Sequence, residues 1–184
     1  MERVTSLVVT AAVAADLHEI AEVAAQTFPL ACPPSATADN IAAFIAANLS
    51  AEKFSHYLAD PERAVLVARS PAGQGNPVVG YAMLIHGVPD DADVQRAVTL
   101  RPTVELSKIY VLPSSHGGAV SAALMAAAVA YAGRHGAASM WLGVNEQNHR
   151  AQRFYAKQGF SVSGTKSFQL GANLEHDFVL TRAL

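Results

Sequence analysis

The stretch ELSKIYVLPSSHGGAVSAALMAAA at residues 105–128 decides the fold, because it joins a strand to a helix through a glycine turn. Residues 103–111 are rich in β-branched and aromatic side chains, and Pro113 ends that run. Residues 114–118 supply turn chemistry before an alanine-rich apolar segment. The first turn of a helix presents unpaired backbone N–H groups and the positive end of the helix dipole. This junction is therefore a candidate cradle for a phosphate or pyrophosphate.

The bulk composition narrows the class of protein. A length of 184 residues predicts a single domain spanning residues 1–184 with a full core. Hydrophobic residues at 51% and charged residues at 15% exclude the disordered class. The formal net charge of −2 gives no basic field, so neither nucleic acid nor a membrane surface is expected as a partner. One cysteine, Cys32, offers no internal disulfide and no thiol pair for a metal, so a reduced, cytoplasmic protein without a metal site is expected.

The first part of the chain is expected to form a strand followed by helices. Residues 6–11 are a short β-branched run, and Asp16 is expected to cap the helix that comes next. Pro29, Pro33 and Pro34 are expected to break that helix. A second helix is expected to begin at Thr37 or Asp39. No uncharged run reaches the roughly 18 to 20 residues that a membrane-spanning helix needs, so the protein is expected to be soluble.

A third helix and a β-hairpin follow. Ser50 is expected to cap the helix, and the loop PAGQGNP at residues 71–77 joins two β-rich runs. Gly73 and Gly75 in this loop are turn residues rather than a nucleotide site, because no helix follows them. Residues 88–101 contain a proline and clustered aspartates and are expected to form a solvated loop.

Beyond the central strand, turn and helix, the chain continues as strand, helix and hairpin. Residues 139–144 form the strand, and residues 145–148 lead into a helix that Gly159 ends. Residues 160–170 and 175–184 flank a Gly-Ala-Asn turn and predict a final hairpin. A strand, crossover helix and strand imply a parallel pair, whereas hairpins imply antiparallel neighbours, so the sheet is expected to be mixed. The face of the last helix that is expected to be solvent-exposed carries Arg150, Arg153 and Lys157.

Two blocks of this sequence resemble the GNAT superfamily of acetyl-CoA-dependent N-acetyltransferases. The first block resembles the family's pyrophosphate motif, in which an aliphatic-x-Val-x-Pro strand end precedes Arg or Gln and two small residues. The matching positions here are Ile109, Val111, Pro113, His116, Ala119 and Ser121. His116 replaces the usual Arg or Gln, while Ala119 and Ser121 replace glycine-type positions and can admit a phosphate if both adopt helical φ.

The second block is more specific, because NEQNHRAQRFYAKQGF resembles the family's Asn-x-x-Ala-x-x-Phe-Tyr-x-x-x-Gly-Phe pattern at each marked position. Those positions are Asn148, Ala151, Phe154, Tyr155, Gly159 and Phe160. The closing region and parts of the N-terminal region resemble the bacterial polyamine N-acetyltransferase branch. The resemblance implies an α/β (α+β) fold with a mixed, mostly antiparallel sheet of about seven strands between helices, in three layers α/β/α. It also implies a splayed central parallel strand pair that leaves residues 109–111 open to pantetheine.

The resemblance implies acetyl transfer from acetyl-CoA to a primary amine, with no metal. Tyr155 matches the family's general acid near the CoA sulfur, and its alternative role is core packing beside Phe154. Glu105 lies on the central strand, where similar enzymes place a base, and its alternative is a surface carboxylate. Its side chain is expected to share one face with Ser107, Ile109 and Val111. Asn148 has two alternatives, cofactor contact and helix capping. The implied cofactor-binding residues are Ile109, Tyr110, Val111, His116, Gly117, Gly118, Ala119, Val120, Ser121, Ala122, Asn148 and Tyr155.

Three functions remain open, two of which differ in the amine that accepts the acetyl group. A small polyamine-like amine would need carboxylates to hold its cationic tail, and the N-terminal helices offer Glu19, Glu22, Asp39 and Glu52. A protein lysine or N-terminal amine would need an open groove between those helices and the last hairpin. A non-catalytic acyl-CoA-binding module is the alternative from another class. A homodimer is plausible because the low charge content leaves apolar surface.

Overall fold

The computed structural model describes residues 7–71 and 75–184. Within these ranges the chain forms seven strands and six α-helices. The strands are β1 (Val8–Ala11), β2 (Arg63–Arg69), β3 (Val78–His86), β4 (Thr103–Val111), β5 (Ser139–Asn145), β6 (Ser161–Leu170) and β7 (Asn173–Ala183). The helices are α1 (Leu17–Ala31), α2 (Ala38–Asn48), α3 (Ala51–Ala59), α4 (Ala92–Ala97), α5 (Ala119–Arg134) and α6 (His149–Lys157).

The described strands form one mixed sheet in the order β1-β2-β3-β4-β5-β7-β6. Every neighbouring pair is antiparallel except β4 and β5, which are parallel and joined by the crossover helix α5. The predicted mixed sheet, the central strand and the final hairpin are therefore confirmed. The parallel pairing covers only three positions, from Thr103 opposite Ser139 to Glu105 opposite Trp141. Past this point β4 and β5 separate.

A β-bulge in β4 adjoins the separation. Leu84 of β3 pairs with Leu106 and Met83 pairs with Lys108, so Ser107 is an extra residue in β4. A bulge bends its strand and shifts the alternation of side chains by one residue.

The bulge also sets which residues share a face of β4, and the expected set was wrong. Ile109 and Val111 pack into the core beneath α5. Glu105 and Lys108, by contrast, pair with Ile85 and Met83 of the opposite face.

Helices cover both faces of the sheet, as the α/β/α arrangement requires. One core lies between the sheet and α5, with Leu124, Met125 and Ala128 fully buried. The other lies beneath α1 and α3, with Ile20 and Phe54 fully buried. The sheet is thus held rigidly on both sides of the point where β4 and β5 separate.

Residues 88–101 are not a solvated loop. They contain α4, whose N-cap Asp91 accepts hydrogen bonds from the backbone N–H groups of Asp93 and Val94. Val94 is 1% exposed and packs with Trp141 and Val179 in a third buried cluster. Of the aspartates that suggested solvent, Asp91 therefore caps a short packed helix and Asp93 lies in its first turn.

The first helix begins after Asp16 and ends before Pro33, as expected, but Pro29 does not break it. Pro29 lies inside α1, which ends at Ala31. A proline in the last turn removes a single backbone bond, which the helix tolerates near its end. Asp16 occupies the N-cap position, but its side chain makes no capping bond to α1; it accepts the backbone N–H of Val13 at 2.9 Å and pairs with Arg69.

The other capping predictions are confirmed, with Thr37 and Ser50 accepting N–H bonds at 3.1 and 3.2 Å. Ser6 and Gly73, which carried predictions of a strand start and a turn, lie outside the described residues. No helix in the described part of the chain combines the length and apolar character needed to cross a membrane.

Candidate active site

The separation of β4 from β5 opens a cavity of about 550 Å³. Both separated strands line it, together with the end of α1, the start of α5, α6 and the β6–β7 hairpin. Along this side of β4 the Val111 carbonyl accepts a hydrogen bond from His116 Nε2 at 2.9 Å. The N–H of Leu112 points away from β5 and donates a hydrogen bond to the Val79 carbonyl of β3. Residues 106–110 make no ladder bond toward β5, so an edge of backbone faces the cavity.

The start of α5 lies at one end of the cavity and has the features of an anion cradle. Gly117 and Gly118 adopt φ of 140° and 93°, which a side chain would disfavour, and a Cβ at either would meet open space. Gly118 is the N-cap and provides no side-chain cap. The first helical bond runs from Ala122 N–H to the Gly118 carbonyl.

The backbone N–H groups of the first α5 turn, at residues 119–121, therefore have no partner within the described chain. Ala119 and Ser121 are helical, so the condition under which they admit a phosphate is met.

His116 orients an arginine toward this turn. Since the Val111 carbonyl can only accept, His116 Nε2 carries the hydrogen, and Nδ1 accepts from Arg150 Nη2 at 3.0 Å. Both residues line the cavity. Arg150 was expected on the solvent-exposed side of α6. It supplies a positive charge beside this turn, where His116 stands in place of the Arg or Gln that is usual in the family that the sequence resembles.

The second motif places Asn148 and Tyr155 in the same cavity. Asn148 Oδ1 accepts the Ala151 N–H at 3.1 Å and caps α6, and its amide N–H₂ bonds no described residue. The Tyr155 ring packs on Phe154 and Phe160 with centroids 5.5 and 6.1 Å away. Its hydroxyl donates to no group in the described ranges, and burial raises the pKa of Tyr155 well above its usual value. Tyr155 therefore has a packed ring and a free proton donor.

Glu105 and Lys108 face the cavity from opposite ends of the bulge. Both side chains are half-buried, and neither forms a hydrogen bond or an ion pair within 4.0 Å of a described residue. Burial raises the pKa of Glu105, although Lys108 opposes the shift. Burial lowers the pKa of Lys108. Each group is thus a half-buried ionisable side chain without a direct partner among the described residues.

A second pair of charges reaches the cavity from the final hairpin. Lys166 Nζ lies 3.2 Å from Asp177 Oδ2, and Gly143 of β5 lets the lysine chain pass, since a Cβ there would lie 2.4 Å from Lys166 Cε. Asp177 is 7% exposed and its Oδ1 has no hydrogen-bond partner among the described residues. Burial raises the pKa of Asp177 and, nearby, that of Tyr110 to about 12.

The structure brings most of the sequence-predicted site residues into this cavity. Those that line it are Glu105, Ile109, Tyr110, Val111, His116, Gly117, Gly118, Ser121, Asn148 and Tyr155. The side chains of Ala119, Val120 and Ala122 do not, and Val120 belongs to the core beneath α5. Sequence reasoning missed Lys108, Lys166 and Asp177, because strand alternation alone does not show which elements meet.

A splayed parallel pair, a helix start with free N–H groups and an unengaged tyrosine hydroxyl define an acyl-CoA-dependent acyltransferase. Residues 18–160 match the profile of the acetyltransferase (GNAT) family. The chain belongs to this family and is an N-acetyltransferase that uses acetyl-CoA.

A curated relative agrees with this assignment, and solved structures have a similar fold. An uncharacterized N-acetyltransferase from Mycobacterium tuberculosis is 52% identical over 169 residues, covering 92% of this chain and 98% of the relative. The fold is similar to that of the PaiA N-acetyltransferase from Thermoplasma acidophilum in complex with coenzyme A, with a TM-score of 0.74 at 19% identity, covering 97% and 99% of the two chains. It is also similar to that of the ribosomal-protein-alanine N-acetyltransferase from Brucella melitensis, with a TM-score of 0.66 at 19% identity, covering 96% and 99%.

Proposed function

We propose that this enzyme acetylates a small primary amine by direct attack on acetyl-CoA within a ternary complex. One observation carries the proposal. A single cavity contains the open backbone edge of β4, the free N–H groups of α5, the Tyr155 hydroxyl and the unpartnered Glu105 carboxylate. A cavity with both a cofactor side and a carboxylate base needs no covalent enzyme intermediate.

The residues present fit the cofactor. The N–H groups at the start of α5 and the Arg150 guanidinium would hold the pyrophosphate, since both favour negative charge. The free edge of β4 would pair with the pantetheine amides as an added strand. The Asn148 amide has donors left for the same chain.

Acetyl-CoA supplies the acetyl group as an activated thioester. Glu105 accepts the proton that the attacking amine loses as its nitrogen bonds the acetyl carbon. The Tyr155 hydroxyl donates to the sulfur as the carbon–sulfur bond breaks, and the products are the acetamide and the CoA thiol.

The pKa shift of Glu105 suits its role. Burial raises the pKa of Glu105 from 4.5 toward the working pH, which strengthens the carboxylate as a base. Burial also raises the pKa of Tyr155, so its hydroxyl is protonated throughout the physiological range, but the same shift makes it a weaker acid. The role of Tyr155 therefore rests on its position in the cavity and its unengaged hydroxyl.

Contacts between the N-terminal helices and the final hairpin favour a small acceptor over a protein. Ser35 Oγ donates to Glu175 at 3.0 Å, and Asn173 Nδ2 donates to the Ser35 carbonyl at 3.3 Å. Phe44 of α2 packs edge-on against Phe168 of β6 with centroids 5.7 Å apart. These contacts bridge the region where a peptide acceptor would need an open groove.

The test is release of free CoA from acetyl-CoA in the presence of single amines. The panel includes spermidine, amino acids, simple alkylamines and lysine peptides. Turnover with a small amine and none with the peptides supports the proposal. Micromolar acetyl-CoA binding without turnover on any amine would support a non-catalytic module instead.

A further inference from the structure

The acidic residues that a polyamine site would use lie away from the cavity. Glu19 accepts the Val78 N–H at 2.9 Å, and Glu22 pairs with His18 at 3.2 Å. Asp39 and Glu52 are exposed. None of these four carboxylates lines the cavity. A polycationic tail therefore finds no row of acids there.

The charges that do line the acceptor side are balanced. The Lys166–Asp177 pair contributes no net charge, and Glu105 and Lys108 supply one carboxylate and one ammonium group. Glu105 and Lys108 pair with Ile85 and Met83, which are alternate residues of β3. Two residues of a strand span about 6.6 Å. That value is the separation of the two backbone positions; the charged ends of Glu105 and Lys108 form no ion pair within 4.0 Å, so each can bond one end of a zwitterion placed between them.

The wall opposite these charges is apolar and aromatic. Phe28 and Phe44 stack with centroids 4.6 Å apart, and Phe168 meets Phe44 edge-on. All three line the cavity. Such a wall fits an apolar or aromatic side chain rather than a chain of ammonium groups.

We propose that the acceptor is an α-amino acid with an apolar side chain, its amine on Glu105, its carboxylate on Lys108 and its side chain against the phenylalanine wall. This inference rests on the proposed function, since it names the substrate class of the same site. Lys108 is a positioning residue here. It holds the carboxylate so that the amine meets the base: the bound ammonium first loses one proton to solvent, and Glu105 takes the second as the nitrogen bonds the acetyl carbon.

Matched pairs of amines test the inference. Leucine is compared with isoamylamine and phenylalanine with phenethylamine, and spermidine completes the set. The members of a pair differ in structure only by the carboxylate, and because this also changes the pKa of the amine, each kcat/KM is expressed per concentration of neutral amine. A charge-assisted hydrogen bond corresponds to about ten- to a hundredfold. We expect the amino acid of each pair to have the higher kcat/KM by that factor, mainly through KM.

Lys108→Met should bring the ratio of kcat/KM within each pair toward one. Lys53→Met, at an exposed lysine outside the cavity, is the matched control and should keep the ratio. The dependence of kcat/KM on pH distinguishes two roles of Lys108, which are binding the substrate carboxylate and shifting the pKa of Glu105. If Lys108→Met moves the acidic limb equally for both members of a pair and keeps their ratio, Lys108 only tunes Glu105 and the inference is wrong.

The two proposals fail differently. If spermidine or the alkylamines turn over as well as the amino acids, the proposed function stands and the amino acid inference is overturned. If no amine is acetylated while acetyl-CoA still binds, the proposed function itself fails and the inference with it. The wild-type comparison alone decides both cases, so neither depends on the folding of a variant.

Discussion

Arg150→Met should weaken acetyl-CoA binding, because Arg150 brings positive charge to the start of α5. His116 accepts the Arg150 hydrogen bond at 3.0 Å and cannot itself replace the missing arginine. Other Arg150 donors remain for the phosphates of the cofactor. The substitution keeps an unbranched side chain and removes the guanidinium.

The magnitude follows from the exposure of Arg150. A hydrogen bond to a charged group contributes about 1.5–3 kcal/mol, whereas an exposed ion pair contributes about 0–1 kcal/mol. Arg150 is exposed in the free protein and gains a phosphate on one side, so a value near 1.4 kcal/mol is expected. The Kd for acetyl-CoA should therefore rise about tenfold.

Isothermal titration calorimetry with acetyl-CoA at low and high salt measures this change. The loss should be larger at low salt, since screening weakens exposed charge pairs. Arg153→Met on the same helix is the control, because Arg153 is exposed and does not line the cavity. Equal effects of the two substitutions at both salt concentrations would show that Arg150 acts only through the net charge of the protein.

Three further predictions concern the base, the donor and α4. For Glu105→Gln, we expect kcat/KM to fall about 10²–10⁴-fold. In the wild type, kcat at saturating amine should decline as pH falls through a Glu105 pKa raised above 4.5, since the protonated carboxyl cannot take the proton of the amine, and the variant should lose this limb. A kcat limb that survives unchanged in the glutamine variant excludes Glu105 as the base. Tyr155→Phe should lower kcat about 10²-fold with a smaller change in the KM for acetyl-CoA, and an unchanged kcat would assign Tyr155 to packing alone. Val94→Ala should destabilise the fold by about 2 kcal/mol, or about 4–8 °C in Tm by calorimetry, because its side chain is 1% exposed; a change below about 1 °C would mean that α4 is not packed.

The central strand and the cofactor motifs could be predicted because they are local in sequence. Thr103–Val111 has the observed strand bounds, and the positive φ of Gly117 and Gly118 fits their place in the turn. Asn148 is the cap that its position before a helix suggested. Its contact with the cofactor, like the expected homodimer, stays a prediction.

The acceptor side could not be predicted because it depends on registers between distant strands. Lys108, Lys166 and Asp177 come from β4, β6 and β7, and only the pairing of those strands brings them to one cavity. The bulge at Ser107 is equally hidden, since a serine in a β-rich run gives no sign that it is unpaired. Strict alternation therefore placed Ile109 on the wrong face.

The bulge beside the opening of the sheet depends on the number of residues in β4 rather than on their type. Without Ser107, the side chains of Leu106, Lys108 and Ile109 would alternate as in an ordinary strand, and each would keep its present face. What Ser107 adds is length, which β4 absorbs by bending beside the point where its pairing with β5 stops. Substituting Ser107 should therefore keep the bulge, whereas deleting it should remove the bend of β4 from the edge of the cavity.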